Sequence, residues 1–164
     1  MNYLDLKKAK KCYVEGGNIM EFLKKEFKEL SNTNRIIEIA YELQAGSYIE
    51  LTNKNRKSFD LYTMELSKFL KPHLKENSSL LDVGTGELTV LSLLLNHLPI
   101  ENLDVYAFDI SWSRLFKGEK FFKKNCKKKN NNIKWFAADM KNIPLHSKSI
   151  DVVMSNHSLE PNGH

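Results

Sequence analysis

The sequence predicts an α/β protein, a parallel sheet flanked by helices and preceded by a helical segment. Three observations predict it. Up to residue 76, apolar side chains recur at helical spacing; after Asn77, short runs of β-forming residues alternate with helical patterns. The first of those runs ends in an acid and a glycine turn, Asp82-Val-Gly84-Thr-Gly86. Alternation of this kind builds a parallel sheet, because right-handed crossovers lay helices on both of its faces. The 164 residues suffice for one domain with a real core, and 41% hydrophobic content excludes a disordered chain. The longest apolar stretch, Leu88 to Leu95, falls well short of the roughly 20 residues a bilayer requires, so no membrane span is expected.

In the first half, Ile19, Phe22, Leu23, Phe27 and Leu30 share one helical face, with lysines and glutamates on the other. Ser31-Asn32-Thr33 supplies a stop and a new N-cap. A second helix carries Ile36, Ile37, Ala40 and Leu43 and ends before Gly46. A third runs from about Arg56 to Leu70, with Phe59, Tyr62, Leu66, Phe69 and Leu70 inward and Pro72 just beyond its end. Residues 1–76 are thus expected as a helical lid or cap, and residues 77–164 as the α/β core. Within that core the expected strands are Ser79–Val83, Val105–Asp109, Ile133–Ala138 and Ser149–Ser155. Helices are expected from Glu87 to about His97 and from Trp112 to about Lys128.

The net charge of +5 concentrates between Lys117 and Lys129, around Phe121 and Phe122. A solvated helix face with Leu115, Phe116, Phe121 and Phe122 packed inward explains that cluster, and the charge alone does not point to nucleic acid. Two distant cysteines, Cys12 and Cys126, with no CxxC pair, fit free thiols in the cytoplasm rather than a disulfide or zinc framework; no metal site is expected. The N-terminus lacks the apolar run of a secretory signal.

The chemistry concentrates at the glycine turn. Gly84 and Gly86 let the backbone bend sharply at the carboxyl edge of the first strand, where open α/β sheets bind ligands. The dinucleotide fingerprint would place its third glycine at position 89, which is Thr89. Asp82, two residues before the first glycine, lies outside that fingerprint. With Asp82-Val-Gly84-Thr-Gly86-Glu-Leu88, the sequence resembles the class I S-adenosylmethionine-dependent methyltransferases, whose first motif reads roughly [D/E]xGxGxG. Val105-Tyr-Ala-Phe-Asp109-Ile110 and Asp139-Met140-Lys-Asn-Ile-Pro144, continuing to Ser149-Ile-Asp-Val-Val, are similar to the family's later blocks in order and spacing. Leu88 stands where a third glycine is frequent, which should tighten the exit of the turn.

The resemblance implies a Rossmann-like partial parallel sheet of order 3-2-1-4 and S-adenosyl-L-methionine as cofactor. It further implies that Asp82 complements the α-ammonium, that Asp109 accepts the ribose hydroxyls and Asp139 meets the adenine amino group, and that Gly84, Thr85, Gly86, Ile110 and Met140 also bind the cofactor. Asn156 and His157 then sit where the fourth strand opens onto the sulfonium. Read without the family, Asp82 is a strand-end acid, Asp109 a cap of the following helix and Asp139 a turn residue. For O-methylation His157 is the first candidate base and Glu160 the second, although a wall residue or a surface histidine explains His157 too. The stretch Ser155-Asn-His-Ser-Leu-Glu-Pro161 is not the (D/N)PP(Y/F) element of base amino methylation. A small molecule or sugar is therefore the expected acceptor, rather than nucleic acid. Tyr41, Gln44 and Tyr48 are candidates to face the cofactor. Family sheets continue for three more strands, so the fourth strand is expected to be left as an apolar edge, either by truncation or for pairing with a second copy in a homodimer.

Overall fold

The computed structural model describes residues 5–158. Among them, four parallel strands form one sheet, β1 (Ser79–Val83), β2 (Asp104–Asp109), β3 (Asn132–Ala137) and β4 (Val152–Ser155), in the order β3-β2-β1-β4. Asp82 lies beside Ala107 of β2 and Met154 of β4, so all four strands deliver their carboxyl ends to one edge. The expected order 3-2-1-4 is the observed one. Two helices of the core, α6 (Thr89–His97) and α7 (Trp112–Asn125), follow β1 and β2.

Among the described residues, five helices precede the sheet: α1 (Leu6–Val14), α2 (Ile19–Phe27), α3 (Asn34–Gln44), α4 (Ser47–Lys54) and α5 (Arg56–Leu70), the last followed by a 3₁₀ turn at Lys71–His73. Asp5 caps α1 and Asn18 caps α2, each accepting two backbone N–H groups with its side-chain oxygen. Ala9, Ile19, Leu23, Ile36 and Ala40 form a small core of α1–α3. The main core joins Leu70 and Leu74 to Leu91, Leu94 and Leu95 of α6 and to Leu80 and Val105 of the sheet. Thus α5, though on the helical side of residue 76, packs into the core of the sheet.

Several expectations change. Helices α1 and α4 were not read from the sequence, since α1 is lysine-rich and α4 is eight residues behind Gly46, which takes φ +104°. Phe69 and Phe116, expected inward, are 72% and 65% exposed, because the strips of α5 and α7 that meet the core are narrower than the runs of apolar residues. Strand β4 begins at Val152 because Asp151 is used elsewhere: its carboxylate accepts both the N–H and the hydroxyl of Ser79 at 2.8 and 2.9 Å. Helix α6 starts two residues late because Leu88 adopts φ +55°, a left-handed conformation costing roughly 1–2 kcal/mol for a non-glycine residue. Full burial of its side chain offsets that strain.

Gly118 explains how α7 comes so close to the glycine turn. A Cβ there would lie 2.6 Å from the carbonyl carbon and oxygen of Glu87, which is backbone and has no rotamer to escape into. Gly118→Ala should therefore destabilise the fold by about 1–3 kcal/mol despite alanine's better helix propensity. Chemical denaturation reads this as a lower midpoint at unchanged slope.

Candidate functional site

The four strand tips carry the predicted residues. At the tip of β1, Asp82 is buried and accepts one hydrogen bond, from the Thr85 hydroxyl at 2.6 Å. Burial pushes its carboxyl up to about 7, against the pull of the Thr85 bond, and the neighbouring Asp109 charge adds to the rise. Asp109, at the tip of β2, is also buried; one oxygen accepts the Gly86 N–H at 2.8 Å and the other the Ser111 N–H at 2.9 Å. The Thr85 N–H reaches the Phe108 carbonyl at 2.9 Å. The glycine turn after β1 is thereby pinned to the end of β2. Helix α7 is capped by Ser111 rather than by Asp109.

Beyond β3, Asp139 accepts the Lys141 N–H at 2.9 Å and the side-chain amide of Asn34 from α3. At the end of β4, Asn156 accepts the Tyr62 hydroxyl at 2.8 Å, while its own side-chain NH₂ is buried without a partner. His157 follows in the left-handed region at φ +56° and is exposed.

Two adjoining cavities run along this edge. One, of about 630 Å³ and open to solvent, is bordered by Asp109, Ile110, Asp139 and Met140. The other, of about 710 Å³ with its open mouth included, is bordered by Asp82, Thr85, Gly86 and Asn156. Gly84, Tyr41, Arg114 and His157 border both. Asp82 therefore shares no single cavity with Asp109 and Asp139; it lies in the second, through the wall the two have in common. Gln44 and Tyr48 border the second cavity. Glu160 lies outside the described residues.

The two turn glycines have specific neighbours. A Cβ on Gly84, at φ +68°, would overlap Ser158 at 2.2 Å, and one on Gly86, at φ +60°, would come within 3.0 Å of the Arg114 guanidinium. From the sequence, their open flanks are expected to face a ligand. In the structure a serine and an arginine of the chain itself occupy them.

Three site residues escaped the sequence reading. Glu87, fully buried, accepts the N–H groups of Gly46 and Ile49 at 2.8 and 2.7 Å, tying the start of α4 to the glycine turn. Glu42 of α3 accepts the Ser111 hydroxyl at 2.9 Å and the Ser113 N–H at 3.1 Å. Partial burial raises its pKa, but those bonds outweigh burial and leave it below the ordinary value. Arg114 faces Tyr41 and Tyr48, its guanidinium carbon 5.1 and 6.0 Å from their ring centres. The only hint was an acid directly after the turn and an arginine in the first turn of α7; neither follows a periodic pattern.

The family model described as a methyltransferase domain matches residues 80–162, which take in β1 from its second residue, β2 to β4 and the site's strand tips. The chain belongs to the methyltransferase-domain family. Among solved structures, this methyltransferase domain is similar to a candidate S-adenosyl-L-methionine-dependent methyltransferase from Methanococcus maripaludis, at 16% identity and a TM-score of 0.54 over 66% of this chain and 47% of that one. That match bears on the fold. A SAM-dependent methyltransferase from Aquifex aeolicus is 31% identical over 54% of this chain and 45% of its own, with a TM-score of 0.43. A third, from Geobacter sulfurreducens in complex with S-adenosyl-L-homocysteine, is 12% identical over 58% of this chain and 35% of its own, with a TM-score of 0.46. The last two, below 0.5, carry no weight for the fold. The methyltransferase domain spans less than half the length of each of these structures. No curated protein matches it. Among the described residues no helix is long and apolar enough to cross a membrane.

Proposed function

We propose that the protein is an S-adenosylmethionine-dependent methyltransferase acting on oxygen of a small-molecule or sugar acceptor. The observation that carries this reading is the pair of adjoining cavities with three strand-tip carboxylates on their walls. The residues suit such a cofactor. Asp82 is a buried carboxylate with one hydrogen bond, raised to about 7, and the α-ammonium of the methionine moiety would restore its charge. Each oxygen of Asp109 accepts one backbone N–H and keeps acceptor capacity for a ribose hydroxyl. Ile110, Ala138 and Met140 offer apolar walls to a purine, with Asp139 at their side. The buried, unpartnered NH₂ of Asn156 borders the methionine-end cavity.

When bound, S-adenosylmethionine supplies a methyl group already activated for in-line displacement. The chain's task is then to align the acceptor and remove its proton. A third, shallower cavity, of about 480 Å³ with its open mouth included, opens beside the methionine end and is bordered by Tyr48, Ser58, Phe59, Tyr62, Val90 and His157. It bears no Asp, Glu, Lys or Arg among the described residues, and its aromatic faces suit an uncharged ring, sugar or otherwise. His157, on the walls of all three cavities, takes the acceptor's proton. Of the N-terminal segment 1–76, the part ahead of α5 acts as the lid, through Asn34, Tyr41, Gln44 and Tyr48, and residues 77–164 hold the cofactor. We place the reaction in the cytoplasm, where Cys12 and Cys126 stay reduced.

A second reading, a module that binds the nucleoside and self-associates without turnover, is favoured by β4, a sheet edge among the described residues with Val153 60% exposed. Incubation with methyl-labelled cofactor and neutral hydroxylated acceptors, alongside sizing in solution, separates the two. The methyltransferase reading expects label in an acceptor, and about 10²- to 10⁴-fold slower transfer in His157→Ala with cofactor affinity unchanged. A dimer that binds the nucleoside but labels no acceptor would favour the second reading.

A further inference from the structure

The methionine-end cavity contains a cation that neither proton transfer nor the ribose and adenine contacts use. Arg114, in the first turn of α7, has a side chain only 13% exposed. Its guanidinium lies against Gly86, where a Cβ would come 3.0 Å from Nη2 and 3.3 Å from Cζ. Tyr41 and Tyr48 hold it from the other elements, and its Nε is buried with no hydrogen-bond acceptor. Glu87 stands 3.5 Å from that nitrogen, yet its two oxygens already serve the N–H groups of Gly46 and Ile49. No hydrogen bond leaves the guanidinium among the described residues. A preorganised fork of donors, desolvated and facing a cavity, is the arrangement that binds a carboxylate.

Charge decides which carboxylate. Of the side chains bordering the cavity at the glycine turn, Asp82 is the one carboxylate and Arg114 the one guanidinium or ammonium among the described residues. An α-amino acid is a zwitterion, so its two ends require one of each. The acceptor cavity, in contrast, does not include Arg114 on its walls. We propose that Arg114 binds the α-carboxylate of the cofactor's methionine moiety, opposite Asp82, and so selects nucleosides that carry an intact amino acid. This rests on the reading of the site as a cofactor cradle. It also gives Gly86 a second purpose, since any side chain at 86 would push the guanidinium away.

Titration calorimetry with three probes tests the assignment: S-adenosylhomocysteine, its decarboxylated analogue, and 5′-methylthioadenosine, which lacks the amino acid altogether. Arg114→Gln should weaken S-adenosylhomocysteine about 10- to 100-fold, as expected for a lost charge-assisted pair, and leave methylthioadenosine within about twofold. Arg114→Lys should recover part of the loss. On the unaltered chain, the decarboxylated analogue should bind weaker than S-adenosylhomocysteine by a similar factor, a comparison that does not depend on any variant folding. Equal losses for all three probes in Arg114→Gln would reduce Arg114 to a structural prop and overturn the proposal. So would equal affinity of the unaltered chain for S-adenosylhomocysteine and its decarboxylated analogue. If the unaltered chain binds none of the three, the cofactor reading itself fails, and the proposal with it.

Discussion

Asp109→Ala should both soften the fold and abolish tight nucleoside binding. The carboxylate closes the glycine turn onto β2 through the N–H groups of Gly86 and Ser111, and all of this happens in a buried place. Alanine leaves two donors without acceptors, at about 1–3 kcal/mol each. At roughly 2–4 °C per kcal/mol for a chain of this size, the melting temperature should drop by on the order of 10 °C. Affinity for S-adenosylhomocysteine should fall by about 100-fold or more, because the ribose contacts go and the turn is no longer held. Asp109→Asn, which keeps one acceptor oxygen but turns an NH₂ donor toward the other backbone N–H, should recover at most about half of the lost stability and little of the affinity. Thermal melts with calorimetry on both variants check this; a full-affinity Asp109→Asn would remove the residue from the ribose site.

Asp82→Asn should have opposite effects on stability and on binding. The folded-state carboxyl is raised to about 7 from an ordinary 3.8, by burial first and then by the Asp109 charge. Between pH 4 and pH 7 the folded chain therefore keeps a proton that the unfolded chain has released. Stability falls as pH rises through that window, at up to about 1.4 kcal/mol per pH unit, and levels off above it. Asparagine removes this dependence. The variant should match the unaltered protein near pH 4 and exceed it at pH 8 by a few kcal/mol. Its affinity for S-adenosylhomocysteine should nevertheless fall about 10- to 100-fold, as the α-ammonium loses its charged partner. In the unaltered protein, binding near pH 7 should release protons from Asp82, so the calorimetric heat should vary with the ionisation heat of the buffer. Identical pH–stability curves for the two proteins would remove the buried-acid argument.

The sheet was legible because its signals are local. Leu80 to Val83 and Val105 to Asp109 are short β-forming runs with an acid at or next to their last position, and both became strands with those acids at one edge. The acids could be placed because a parallel register delivers every strand tip to the same side. What could not be read depends on distant chain segments. Glu87 and Glu42 act on backbone N–H groups 38 and 71 positions away, which no spacing rule anticipates. Gly118, which no motif or periodicity marks, is the close contact that seats α7 on the turn. Phe69 and Phe116 looked like core and face outward, since hydrophobicity marks what can be buried but not how wide the contact is. Asp82 shows a subtler gap: its position was legible, its unusual proton affinity was not, because desolvation is set by the packed neighbours.

The most direct test of the cradle formed by Asp82, Asp109 and Asp139 is a crystal structure of the protein with S-adenosylhomocysteine. It should show the ribose hydroxyls within hydrogen-bond distance of Asp109, the amino acid between Asp82 and Arg114, and the adenine beside Asp139 and Met140. A nucleoside lying elsewhere on the chain, or one that leaves these three carboxylates untouched, would contradict it.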